Sequence, residues 1–322
     1  MASPARRLAL ALVLTVAAGC HRSSPTPEVE HERPQPEPPA TVETPNAESS
    51  LLVWVRDTTD EPSTYRIDDE GRVLEHMDGI RIAVDGVAWR WQEERVTART
   101  VADEGCGSSD DGEDEGESFV TRAILSRLDD GSSQTIVAPP APDEDASDFE
   151  HVVKLVRSVG PLLFIRQSTY VYGCGAHGNL GAQAFVWDAR SNSEVELATE
   201  IATLEELRLQ ATRILSESDD AIPTEEDEVG LAELLPRFSP EGDFELDLRF
   251  TGFACYACSD EDWSSYTKSV FLPAPALPET LLPHADVPAG VRAFLQEHPE
   301  LELGGISVLN VNAPGPEVFM AP

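Results

Sequence analysis

The stretch IRIAVDGVAWRWQ, residues 80–92, decides the class of fold. Apolar side chains alternate with polar or small ones on both sides of Asp85-Gly86. Alternation with a period of two places the apolar side chains on one face of a β-strand. A two-residue Asp-Gly turn joins antiparallel strands well, because a type I′ turn needs positive φ at both positions. The stretch therefore predicts a β-hairpin.

The neighbouring sequence continues this strand pattern in both directions. A second hairpin is predicted to join residues 65–68 to residues 72–75 through Asp69-Glu70-Gly71. Three more segments are predicted to be strands, and Asp130-Gly131 is predicted to turn between the last two of them. These segments are residues 51–55, 119–128 and 134–137. Residues 51–148 are therefore predicted to form a β-meander.

Residues 149–300 combine strands with helices. One helix is predicted from the capping box Thr203-x-x-Glu206 and from apolar residues at helical spacing. A short helix is expected between Pro288 and Pro299, because Val291, Phe294 and Leu295 suit one face. The apolar residues of the first helix are Leu204, Leu207, Ala211 and Ile214, and the predicted strands are residues 152–157, 162–172, 183–187 and 244–250. With a C-terminal strand and tail at 301–322, the predicted class is α+β, dominated by antiparallel sheet.

The N-terminus is typical of a bacterial lipoprotein precursor. Two arginines precede an uncharged run at residues 8–18, which is too short to span a bilayer of ~30 Å and fits a signal peptide. Residues 1–19 are therefore predicted to be removed, with lipid attached to Cys20. Residues 20–50 are rich in proline and charge and predict a disordered linker. The expected location is outside the cytoplasm, on a bacterial membrane and most simply the outer one.

The charge of the chain limits its partners. The formal net charge is −36, which disfavours nucleic acid and anionic lipid as partners of the folded body. Part of the excess is local, at residues 103–117. Such a charge favours basic proteins as partners. Apart from the membrane bound through lipid, we expect a cell-wall component or a basic protein.

Four cysteines remain besides Cys20, and three kinds of chemistry could use them. They are Cys106, Cys174, Cys255 and Cys258. An even set outside the cytoplasm favours two disulfides, with connectivity left open. Cys174-x-x-His177 together with Cys255-x-x-Cys258 has the spacing of a zinc site. A thiol-redox pair at Cys255 and Cys258 is the third alternative.

The segment YVYGCGAHGN, residues 170–179, resembles part of the extracytoplasmic domain of RsiV-like proteins, which also occurs in PdaC-type deacetylases. The matching positions are Tyr172 and the Gly-Ala-His-Gly run at 175–178. The resemblance extends over about residues 150–285. It implies an α+β domain that in some relatives contacts cell-wall or muramidase partners. Tyr172 and His177 are candidate ligand contacts. His177, flanked by Gly175 and Gly178 at a tight turn, could instead bond the turn itself or take part in metal or acid–base chemistry.

Motifs typical of enzymes are missing from the sequence. It has no Gly-x-Ser-x-Gly elbow, no His-Glu-x-x-His and no phosphate-binding loop, so no catalytic residue and no cofactor is predicted. The sequence favours a lipoprotein that binds or senses at the cell envelope. The alternative is an envelope hydrolase, or an enzyme that uses thiol-redox or zinc chemistry.

Overall fold

The computed structural model describes residues 49–98, 118–141, 148–172, 178–217, 229–239, 244–255, 259–260 and 266–310. The chain divides into two compact units, residues 1–45 and 46–322, and every described residue belongs to the second. Among these residues, none of the helices has the length and apolar character needed to cross a membrane.

The described residues form an α+β fold rich in antiparallel strands, as the sequence predicted. The first seven strands are β1 (Ser49–Arg56), β2 (Pro62–Ile67), β3 (Val73–Asp78), β4 (Arg81–Val84), β5 (Val87–Ala98), β6 (Ser118–Arg127) and β7 (Ser133–Val137). The next four are β8 (Asp148–Val159), β9 (Leu162–Tyr172), β10 (Asn179–Asp188) and β11 (Ser193–Val195). A 3-10 turn at Leu197–Glu200 and helix α1 (Leu204–Ser216) follow. The remaining elements are β12 (Gly230–Phe238), β13 (Phe244–Phe253), β14 (Thr267–Pro273), a 3-10 turn at Leu282–His284, α2 (Ala289–Glu297) and β15 (Glu302–Asn310).

The predicted hairpin at residues 80–92 is confirmed. β4 and β5 pair antiparallel around Asp85 and Gly86, with Val84 opposite Val87. The φ angles of Asp85 and Gly86 are 51° and 79°. Both are positive, as a type I′ turn requires.

Twelve strands form one large sheet around the branching strand β8. One branch has the strand order β11-β10-β9-β8-β15-β1-β2-β3. In the other branch, β6 pairs with β8, β5 and β7, and β5 pairs in turn with β4. The first part of β8 is parallel to β6 near His151, and its last part is parallel to β15 at Ser158 and Val159. Since β1 lies beside β15, the first and last described strands are neighbours.

Two glycines let β15 pack against Trp54 at this junction. The indole Nε1 of Trp54 donates a hydrogen bond of 2.7 Å to the Ser158 hydroxyl. A Cβ atom at Gly304 would overlap the Trp54 ring, and one at Gly305 would overlap Ser158 Oγ. The junction of β1, β8 and β15 therefore depends on residues without side chains.

A separate three-stranded sheet, in the order β12-β13-β14, packs on one side of the large sheet. Phe164 of β9 and Val186 of β10 meet Leu248 and Phe250 of β13 in a shared core, which also includes Ala211 of α1. A second core lies on the opposite side, under β4–β7, and a third lies beneath α2. The small sheet is thus held in place over β9 and β10.

Two details of the predicted helix α1 are wrong. Thr203 precedes the helix, but its side chain makes no capping hydrogen bond, and its buried hydroxyl has no hydrogen-bond partner among the described residues. Ile214 is exposed, whereas Leu215 is buried with Leu207 and Ala211. The strand β12 was not predicted, because its sequence GLAELLPRF does not alternate and contains Pro236. Proline is tolerated in edge strands, and β12 is one.

Candidate functional site

A cleft of about 210 Å³ lies between the large sheet and the small one. One wall is formed by β10, β11 and the 3-10 turn that follows β11. The other wall is the first half of β12. The lining residues on the β12 side are Leu231, Ala232, Glu233 and Leu234, and those opposite are residues 184–186 and 194–199.

The floor of the cleft is apolar and its charged groups are all carboxylates. Ala184, Val186 and Val195 contribute small aliphatic side chains, and Glu194 and Glu196 are exposed on either side of Val195. Since Glu194 lies opposite Trp187, its side chain leaves from the other face of β11. Among the described lining residues there is neither a lysine nor an arginine. A ligand that combines an aliphatic part with a positive charge matches this lining.

The third carboxylate of the cleft, Glu233, is already occupied. Its side chain is 0 % exposed, and it forms an ion pair with Arg166 of β9. Arg166 donates from Nε to one carboxylate oxygen at 2.8 Å and from Nη2 to the other at 2.7 Å. A bidentate arginine is a suitable partner for a buried carboxylate, because it satisfies both oxygens. Glu233 therefore fixes β12 to β9 and leaves Glu194 and Glu196 as the accessible charges.

A second ion pair continues from this position across the small sheet. Arg249 of β13 lies directly opposite Glu233 of β12, and its Nη2 donates to Asp260 at 2.9 Å. The hydroxyl of Ser269, on β14, also donates to Asp260. The small sheet is thus held by polar contacts on one face and by the shared apolar core on the other.

β12 carries two features typical of an edge strand that borders a site. The register with β13 shifts between Leu231 and Glu233, which places a β-bulge at Ala232 in the wall of the cleft. Bulges are frequent at sheet edges and next to binding sites. Pro236 follows four residues later, where a backbone donor is absent.

The candidate ligand contact Tyr172 lies elsewhere. It is half-buried at the end of β9, opposite Asp148 of β8, and does not line the cleft. The second candidate, His177, lies outside the described residues. The structure therefore does not bring these two predicted contacts together with the cleft.

The predicted cysteine chemistry involves mostly undescribed positions. Cys255 is half-buried just after β13. Cys20, Cys106, Cys174 and Cys258 lie outside the described residues, so the connectivity stays a prediction. So do the zinc site and the redox pair. Within the described ranges, no group of three or more histidine, cysteine, aspartate or glutamate side chains could hold a metal ion.

Sequence reasoning missed the residues that shape the cleft. One signal was present, because Glu233 is the sole charged residue in the apolar run at 229–236. A carboxylate in such a run needs a partner once the run is buried. The partner, Arg166, is 67 residues away in the sequence, so no local pattern connects the two.

Comparison of the chain with protein-family profiles and with curated proteins found no match.

Proposed function

We propose that this protein is a lipid-anchored envelope protein that binds a basic protein partner through the cleft between β11 and β12. The observation that carries the proposal is the acidic character of the chain at this cleft: its described lining residues include three glutamates and neither lysine nor arginine, and the formal net charge is −36. The buried ion pair of Glu233 with Arg166 holds the two walls in place.

The overall charge supports the same kind of partner. A formal net charge of −36 attracts basic proteins over distances comparable with the Debye length, about 30 Å at 0.01 M salt. The cleft then supplies local contacts that a diffuse field lacks. The resemblance of residues 170–179 to RsiV-like domains favours a wall-active basic protein such as a muramidase.

The same proposal gives the N-terminal region its role. Lipid on Cys20 anchors the chain, and the proline-rich linker at residues 20–50 spaces the folded body from the membrane. A rise of roughly 3.1 Å per residue in extended segments allows a separation of tens of ångströms. Replacement by C20S should move the protein from the membrane fraction to the soluble one. Retention of C20S in the membrane fraction contradicts lipid anchoring.

The binding experiment compares two doubly substituted variants with equal charge change. A basic muramidase is titrated against the folded body at about 20 mM and about 300 mM salt, a range over which screening changes strongly. In the cleft variant, Glu194→Gln is combined with Glu196→Gln. In the control, Glu61→Gln is combined with Glu297→Gln, both of which are exposed and do not line the cleft.

We expect the cleft variant to bind about fivefold to thirtyfold more weakly, since exposed charges contribute roughly 0.5–1 kcal/mol each. The control should lose less than about threefold. Equal losses in the two variants show a diffuse charge effect and reject the cleft as the binding site. Absence of binding at 20 mM salt rejects the proposed function itself.

A further inference from the structure

We infer that the partner enters the cleft as an extended segment that adds a fourth strand to the small sheet beside β12. The inference rests on the proposed function and specifies the occupant: a peptide segment in which lysine or arginine alternates with aliphatic residues. The free edge of β12, the opposite wall and the acidic charge each contribute to this assignment.

The edge of β12 that faces the cleft has its backbone available. In the described part of the chain, β12 pairs with β13 alone, and the order β12-β13-β14 makes it the outer strand. No described residue forms a backbone hydrogen bond with the opposite side of β12. A free strand edge is a row of unpaired donors and acceptors, and extended peptides bind to such edges.

The position of Pro236 limits where pairing can occur. Proline has no backbone N–H, so an added strand finds no donor there. Residues 231–235 keep their donors, of which alternate ones point away from β13, and four of these residues line the cleft. The usable part of the edge and the wall of the cleft are therefore the same segment.

β12 differs from the edge strand β3 in having a wall opposite it. β3 is exposed along almost its whole length on both faces, with Val73 and Leu74 about half exposed. A peptide added to β3 would gain backbone hydrogen bonds and few side-chain contacts. A peptide added to β12 would also lie over β10 and β11, which form the floor of the cleft.

The residues around the cleft indicate which side chains the added segment should carry. Successive residues of a strand point to opposite faces, so every second side chain of the added segment meets Ala184, Val186 or Val195. A lysine or arginine can lay its aliphatic stem along such a floor and hold its charge near exposed carboxylates. The exposed carboxylates nearest to the floor, on either side of Val195, are Glu194 and Glu196. The formal net charge of −36 favours a basic segment over a neutral or acidic one.

The test uses the synthetic peptide acetyl-Val-Lys-Val-Lys-Val-Lys-Val-amide and two N-methylated forms of it. One form carries backbone N-methyl groups on the three lysines, the other on the last three valines. All three peptides have the same charge. Because alternate residues of a strand donate to opposite sides, only one form can lose the hydrogen bonds to β12.

We expect one methylated form to bind at least tenfold more weakly than the parent peptide, or about 1.4 kcal/mol. The other form should stay within about threefold of the parent. Amide hydrogen exchange should slow, when the parent peptide is added, at those of residues 231–235 whose N–H groups point away from β13. Equal affinities of the two methylated forms, high or low, or unchanged exchange at these residues would overturn strand addition.

The two binding experiments distinguish failure of the proposed function from failure of strand addition. If the muramidase loses affinity with the Glu194 and Glu196 variant while the parent peptide does not bind, the cleft remains the binding site and strand addition is wrong. If neither probe binds at low salt, both proposals are wrong. If the muramidase and the parent peptide both bind, and only one methylated peptide binds more weakly, the proposed function and strand addition are both supported.

Discussion

Removal of Arg166 tests whether the buried ion pair holds the cleft together. In the variant Arg166→Leu, the carboxylate of Glu233 stays at a position where the side chain is 0 % exposed, without its two hydrogen bonds. The leucine fills part of the space of the arginine stem. The main effect is thus an uncompensated buried charge.

The magnitude follows from burial and geometry. The two charges attract each other by about 4 kcal/mol at an effective dielectric constant near 20, but burying a carboxylate costs several kcal/mol. The intact ion pair therefore changes the free energy of unfolding little, whereas removal of one partner lowers it by about 3–5 kcal/mol. Arg166 is 31 % exposed, so water can reach the site in part, and we expect a loss near the lower limit, about 3 kcal/mol.

The assay is chemical denaturation of four proteins that form a double-mutant cycle: wild type, Arg166→Leu, Glu233→Leu and the double variant. The double variant removes both charges and should lose about 1 kcal/mol or less. Glu233→Leu should cost little, because Arg166 is 31 % exposed and can be solvated without its partner, so the coupling energy should be about 2–3 kcal/mol. A matched control is Arg208→Leu, whose partner Glu205 is exposed, and it should cost below about 1 kcal/mol.

Two results would refute this reasoning. If Arg166→Leu costs under 1 kcal/mol, the carboxylate of Glu233 is solvated and the burial argument is wrong. If the double variant is as unstable as Arg166→Leu, the loss comes from packing around Arg166 and not from an uncompensated charge. Either result would mean that interactions other than the Arg166–Glu233 ion pair hold β12 against the large sheet.

Three further predictions concern the junction of β15, a histidine and the cysteines. Gly304→Ala should lower the free energy of unfolding, measured with denaturant, by about 2–4 kcal/mol, because the new methyl group overlaps Trp54. The control Gly181→Ala places its methyl group in open space and should lower it by under about 1 kcal/mol. Similar losses in the two variants would contradict the packing at Gly304. Burial and the nearby guanidinium of Arg190 lower the pKa of His284, against the opposing effect of Asp188. The unfolded chain then binds the proton more readily, so stability falls as the pH drops below about 6.5; His284→Gln should reduce this fall between pH 7 and 5, and identical pH profiles would disprove it. Intact mass of the body from residue 23 should increase by about four hydrogens on reduction if two disulfides form, while a native zinc adduct with free thiols would favour the metal site.

The strands and helices could largely be predicted because their signals are local. The hairpin around Asp85-Gly86 was predicted from turn chemistry and alternation alone, and the φ angles confirm it. Strand β9 was predicted with its observed limits, and α2 was correctly placed between Pro288 and Pro299. In each case, neighbouring residues in the sequence are also neighbours in the structure.

Errors occurred where residue spacing in the sequence did not determine which contact forms. Thr203 and Glu206 have the spacing of a capping box, but the threonine hydroxyl makes no capping hydrogen bond. Ile214 fits helical spacing as well as Leu215, and the packing of α1 on the small sheet selected Leu215. Sequence spacing describes a helix face only to within one residue.

The sequence by itself determined the class of fold, most strand positions and the acidic charge, because each depends on composition or on residues close along the chain. Tertiary structure decided the branching of the sheet at β8, the place of β15 beside β1 and the formation of the cleft. Arg166 and Glu233 show the physical reason. A buried carboxylate requires a partner, but the partner is whichever cation the fold places within hydrogen-bond distance, and that depends on how two sheets pack.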